Sequence, residues 1–161
     1  MNIFLTELAD GWPDGAQLAR ILIRLTAAAL LGAVIGFQRE TMGKAAGLRT
    51  HMLVAMGAAL FVVACLESGM SSEGLSRVIQ GLATGIGFIG AGAILKLAEE
   101  REITGLTTAA SIWMTAAVGV AVGLGRWGSA VISVVLTWII LAVLGRLEFW
   151  IKRKHESEGG S

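Results

Sequence analysis

Hydrophobic positions fall into five long runs, at about 18–37, 51–66, 78–97, 106–124 and 129–150, with short polar connections between them. A helix rises 1.5 Å per residue, so about 20 apolar residues cross the roughly 30 Å of bilayer hydrocarbon. Four runs reach that length, and the second needs residues 48–50 or 67–70 to complete it. The pattern predicts an all-α fold: a polytopic membrane bundle of about five transmembrane helices, with sequence neighbours antiparallel because the loops are short. Residues 1–17 then form an N-terminal periplasmic or interfacial segment, 18–150 the bundle, and 151–161 a basic then polar tail. The start carries no basic n-region or small-residue cleavage site, so no signal peptide is expected.

Composition agrees with the pattern. Of 161 residues, 55% are hydrophobic and 16% charged, against about 45–50% and about 25% in soluble domains. Charge then sets a direction. With five spans, Arg39, Lys44, Arg49, Lys96, Arg101, Arg146, Lys152, Arg153 and Lys154 share one side, and only Arg77 and Arg126 lie opposite. Basic loops stay in the cytoplasm, so the N-terminus is expected outside and the C-terminus inside. A net charge of +1 gives no reason to expect nucleic acid as a partner. One cysteine, Cys65, excludes an intrachain disulfide and a cysteine-based zinc site.

The third run is unusual. Between positions 80 and 96 it reads QGLATGIGFIGAGAILK, where Gly81, Gly85, Gly87, Gly90 and Gly92 supply five of seventeen residues. Each interior glycine costs a helix roughly 0.5–1 kcal/mol relative to alanine. Two readings offset that cost: close helix–helix packing through small residues, or a broken helix whose freed backbone lines a pathway. Gly32-x3-Gly36 and Gly119-x3-Gly123 offer matching small-residue surfaces in the first and fourth runs.

Few polar groups enter the apolar runs. Arg20 and Arg24 share a helical face. Arg20 can snorkel to headgroups, whereas Arg24, a turn deeper, needs a carbonyl, Gln80, a hydroxyl or a bound anion as its partner. In the fourth run Thr104, Thr107 or Thr108, Ser111 and Thr115 recur every three or four residues. They suit back-bonding to their own helix, interhelical hydrogen bonds or a weak cation path. The first cytoplasmic loop gathers Gln38, Arg39, Glu40, Lys44, Arg49, Thr50 and His51. Its donors at the start of a helix make a natural anion site or a partner contact, with lipid-headgroup anchoring as the alternative. No metal site is expected, since His51 has no second histidine or carboxylate beside it. The spans contain no Asp or Glu, which argues against a dedicated magnesium channel. Gly85-x-Gly87-x-x-Gly90 matches a dinucleotide fingerprint only formally, because it follows no strand. With no nucleophile–base pair either, neither a cofactor nor an enzyme is expected.

Three ordered segments, GFQRETMGKAAGLRTHMLVAMGAALF (36–61), GIGFIGAGAILK (85–96) and GLTTAASIWMTAAVGVAVGLG (105–125), resemble the MgtC/SapB family of bacterial inner-membrane proteins. The resemblance covers about two-thirds of the chain. It implies a plasma-membrane protein of about five spans, linked to magnesium-limited growth and, in some members, to survival in macrophages and restraint of ATP synthase. Members commonly carry an acidic residue where this chain has Gln38. Virulence-type members have Asn at the Thr107 and His51 positions and Cys at Met114, so the chain is more similar to the SapB side, and no soluble C-terminal domain is expected. The expected function is that of a non-enzymatic regulatory or interaction protein of the inner membrane. It would work on the lipid bilayer as a homodimer, or with another inner-membrane protein. The alternative is a small dimeric transporter or channel for a cation or other solute.

Overall fold

The computed structural model describes residues 3, 11–96 and 103–144. Most of segment 1–17, the end of the fifth run beyond 144, Arg101 and the tail lie outside the described residues.

Asp14 opens the first helix, α1 (Gly15–Thr41): its carboxylate accepts from Gln17 N–H at 2.7 Å, satisfying one of the free first-turn donors. At 27 residues α1 is about 40 Å long. It stops where Gly43 turns left-handed, φ 65°, and the Lys44 and Gly43 N–H groups bond back to Arg39 O and Glu40 O. Helix α2 (Leu48–Glu67) follows, so residues 48–50 complete the short second run. Its N-cap, Gly47, has no side chain to offer, and Glu40 replaces it by accepting from Leu48 N–H at 2.7 Å. Ser71 caps α3 (Ser72–Gly92) by accepting from Gly74 N–H. After α3 come two-residue strands, β1 (Leu95–Lys96) and β2 (Ile103–Thr104), paired antiparallel with Leu95 opposite Thr104. Helix α4 (Leu106–Gly123) and helix α5 (Trp127–Ile139) complete the order, α5 running into a π-helical turn at Ile140–Leu144.

Apart from that strand pair, the described chain is all-α, with five helices in up-and-down order. α1, α2 and α4 are long and apolar enough to cross a membrane. α3 has the length, but Arg77, Gln80 and its glycines dilute its hydropathy; the last apolar helix, Trp127–Val143, is shorter.

The chain packs around α2, which lies between α1 and α4. Ala28, Ile35, Ala55, Ala59, Val118 and Val122 form the centre of the core, with Ala130, Val134 and Leu141 against it. A smaller cluster of Ala46, Ala58, Ile86, Ile112 and Ala116 sits under α3. Leu22, Leu30, Phe37, Leu53, Phe61, Phe88 and Trp113 point outward. Apolar exposure on this scale suits a lipid-facing surface.

Two expectations change, and one alternative left open by the sequence is decided. The third run starts and stops earlier than 78–97, as α3 with strand β1 behind it. The reason lies at Gly105, where φ is 91° and Ala93 O occupies the space a Cβ would need, so helix ends and strands meet in a tight crossing. The helix is also continuous from Ser72 to Gly92, not broken. Finally, the Gly32 and Gly119 motifs do not face the glycines of α3. They face α2.

Candidate functional site

At the α1–α2 loop end of the bundle, three helices bring polar side chains into the core. Arg39, in the last turn of α1, is 3% exposed and donates from Nη2 to Thr108 Oγ1 in the first turn of α4, at 2.9 Å. Its Nε is sealed without an acceptor among the described residues. Twelve residues further on, His51 of α2 is fully buried. Its Nδ1 lies 2.8 Å from Gly47 O and its Nε2 3.2 Å from Ser111 Oγ. Ser111 donates to Thr108 O and Thr115 to Ser111 O, each at 2.8 Å, the back-bonding that hydroxyls make in apolar helices.

This geometry constrains the imidazole. A neutral ring has one N–H. If Nδ1–H goes to Gly47 O, the Ser111 hydroxyl must turn its hydrogen to Nε2 and leave Thr108 O. If both nitrogens carry protons, all three contacts form together. The cluster is therefore a hydrogen-bond network whose pattern depends on which imidazole nitrogen carries the hydrogen. Among the described residues, no three His, Cys, Asp or Glu side chains gather.

The residues expected from the sequence divide sharply. Arg39, His51, Thr108 and Ser111 come together, with Thr115 buried one turn below. Thr107 does not join them; it is exposed, because it lies about 100° around α4 from Thr108. Glu40 is exposed and serves as the α2 cap, so it and Arg39 pair with different elements. Lys44 and Arg49 are exposed, and Thr50 is half-buried. Gln80 is exposed on α3, and Arg24 takes a carbonyl instead: its Nη1 donates to Gly123 O at 2.8 Å. That closes the C-terminal end of α4 with a cation, the favourable sign for the dipole.

The glycines divide too. A Cβ on Gly32 would lie 2.5 Å from His51 O, and one on Gly36 2.8 Å from Leu48 Cα. One on Gly119 would meet Ala55 O, and one on Gly123 would lie 2.8 Å from Val62 Cβ. These positions let α1 and α4 touch α2 backbone to backbone. On α3, Gly90 is in ordinary contact with Ala109, but Gly81, Gly85, Gly87 and Gly92 have nothing within 4 Å.

Two features escaped sequence reasoning. Gln38 is buried: its Nε2 approaches Trp138 O at 3.5 Å and its Oε1 has no partner among the described residues. A polar residue three before a helix end gives no signal of which neighbour it meets. At the opposite end of the bundle, a half-open cavity of about 290 Å³ is lined by Gln17, Arg20, Arg24, Val63, Leu66 and Glu67. The spacing of Arg20 and Arg24 puts them on one helical face, but nothing local in the sequence links them to Glu67 of α2, more than forty residues on.

The chain is 43% identical to Protein SrpB of Synechococcus elongatus, over 89% of this chain and 86% of that one. It is 41% identical to the putative magnesium transporter YhiD of Escherichia coli K12, over 85% and 66% of the two chains. To Protein MgtC of Salmonella typhimurium it is 41% identical over 71% of this chain, which spans about half of that relative's length. No solved structure matches the chain. The family model described as the MgtC family matches residues 25–150, a stretch that takes in the Arg39–His51–Ser111 cluster and the α3 glycines alike. The chain is a membrane protein that belongs to the MgtC family.

Proposed function

We propose that the protein is a non-enzymatic regulatory or interaction protein of the bacterial inner membrane, linked to magnesium handling, and that it works through the outer face of α3 as a homodimer or with another membrane protein. The magnesium link rests on relatives: YhiD bears the name putative magnesium transporter. One observation carries the contact mode. The Gly32-x3-Gly36 and Gly119-x3-Gly123 motifs are used up against α2, while Gly81, Gly85 and Gly92 form an open stripe with the 83% exposed Phe88 beside them. In lipid, such stripes gain dispersion contacts when a second helix lies in them. The basic residues Arg39, Lys44 and Arg49 gather at one end, which supports a cytoplasmic position for that end and a periplasmic N-terminus. A cysteine at Lys44 would then resist a membrane-impermeant label applied from the periplasm.

A transporter is the second reading, favoured by the name of YhiD. Its path cannot run between α2 and α4, where Gly119 and Gly123 seal the seam, so it would need the α3 faces of two copies. Liposomes separate the readings. The regulatory reading expects no Mg²⁺ flux from the reconstituted protein; reproducible flux lost in Gly85→Leu would overturn it.

A further inference from the structure

The two helices that begin at the Arg39 end start differently. At α2, the Glu40 carboxylate already occupies the N-terminal position, accepting from Leu48 N–H. At α4, the N-cap is Gly105, which offers no side-chain cap. The first bond within reach is Ala109 N–H to Gly105 O, so the earlier amides point out of the helix. These amides form the positive end of the α4 dipole. Against them stands Arg39, whose Nη2 donates to Thr108 Oγ1 at 2.9 Å. Two positive groups therefore face each other at a residue only 3% exposed. The buried Nε of Arg39 has no acceptor among the described residues, and the one ion pair among them, Arg77 with Glu73, lies elsewhere. A buried charge is ordinarily paired.

We infer that Arg39 and the first turn of α4 form a binding site for a phosphate-class oxyanion, either a phospholipid headgroup or free phosphate. The chemistry fits at three points. Guanidinium presents parallel donors that match phosphate oxygens, and Nε is one of them. Helix N-terminal amides bind the same group. The Thr108 hydroxyl, which accepts from Arg39, keeps its own hydrogen for a ligand oxygen. Lys44 and Arg49, exposed at the same end, raise the local concentration of anions. The site goes beyond the helix-face function above and does not depend on it: the α3 stripe lies on a different helix, so losing one leaves the other testable.

The test uses the full chain, purified in detergent and stripped of lipid. Thermal unfolding is followed against inorganic phosphate, with sodium chloride at matched ionic strength as control. In parallel, protein extracted from vesicles of phosphatidylglycerol and phosphatidylcholine is weighed by native mass spectrometry. If free phosphate is the ligand, the unfolding midpoint rises by roughly 5–10 °C at about 100 times the dissociation constant. If a headgroup is the ligand, phosphate matches chloride, but phosphatidylglycerol is retained. In either case Arg39→Lys, which keeps the charge and loses the fork, weakens binding at least about tenfold. Thr108→Val, which keeps the shape, provides a second variant should Arg39→Lys not fold. Wild-type protein that responds to neither ligand overturns the site. So do folded Arg39→Lys and Thr108→Val variants that bind like wild type.

Discussion

The glycines of α1 and α4 and those of α3 obey the same spacing and live in opposite surroundings. Gly32, Gly36, Gly119 and Gly123 let three backbones meet, while Gly81, Gly85 and Gly92 border open space. The first set offsets its conformational cost inside one chain. The second set has no such contact among the described residues, and the proposed docking of a second helix is what would supply it. Small-xxx-small spacing thus marks a surface able to pack closely, without saying whether the partner is the same molecule.

The sharpest way to break the comparison is to fill a buried glycine. In Gly119→Leu the new Cβ would clash with Ala55 O, which belongs to backbone and cannot swing aside. Overpacking a core with side chains alone costs about 1–3 kcal/mol, and a backbone clash between α2 and α4 exceeds that range. We expect no monodisperse folded protein in detergent. A Gly119→Leu variant that unfolds at the wild-type midpoint would mean that the helices are not in contact there.

Next in size is the polar cluster beside that seam. Ser111→Ala removes the group facing His51 Nε2 and leaves that nitrogen buried without a partner. The expected loss is about 1–3 kcal/mol, read as a drop in the thermal midpoint. Thr107→Ala, one position from the buried Thr108 but exposed, should change stability by less than about 0.5 kcal/mol. Equal losses from the two variants would show that the α4 face is misassigned.

Much of this was legible in the sequence, for identifiable reasons. Run length and spacing gave α1, α2 and α4 to within a few residues, because a bilayer fixes both the length and the polarity of what crosses it. The hydroxyl face of α4 followed from a period of 3.6, apart from Thr107, whose threonine neighbour shared the same rough position. What spacing could not decide was partnership. Arg39 and Thr108 are 69 residues apart and Arg24 and Gly123 are 99 apart, and nothing local ties such pairs. The end of α3 was misjudged because residues 93–96 are as apolar as a helix. Instead Ala93 closely approaches Gly105, and residues 95–96 pair with 103–104 as strands, a long-range contact that no local pattern announces.

The smallest expected change within a single chain is the most informative about assembly. Gly85→Leu adds a side chain where nothing lies within 4 Å, and replaces a poor helix former with a good one. The isolated chain should gain roughly 0.5–1 kcal/mol. If the α3 stripe seats a second copy, the same substitution should turn a dimer into a monomer by light scattering in mild detergent. Gly87 supplies the control: it is equally open, but at 100° per residue it lies roughly 120–160° around the helix from Gly81, Gly85 and Gly92. Gly87→Leu should therefore leave the dimer intact. Dissociation by both variants would spread the contact around α3 and dissolve the stripe. Dissociation by neither would move the interface to another helix, and leave the cost of the α3 glycines to be met by a different membrane partner.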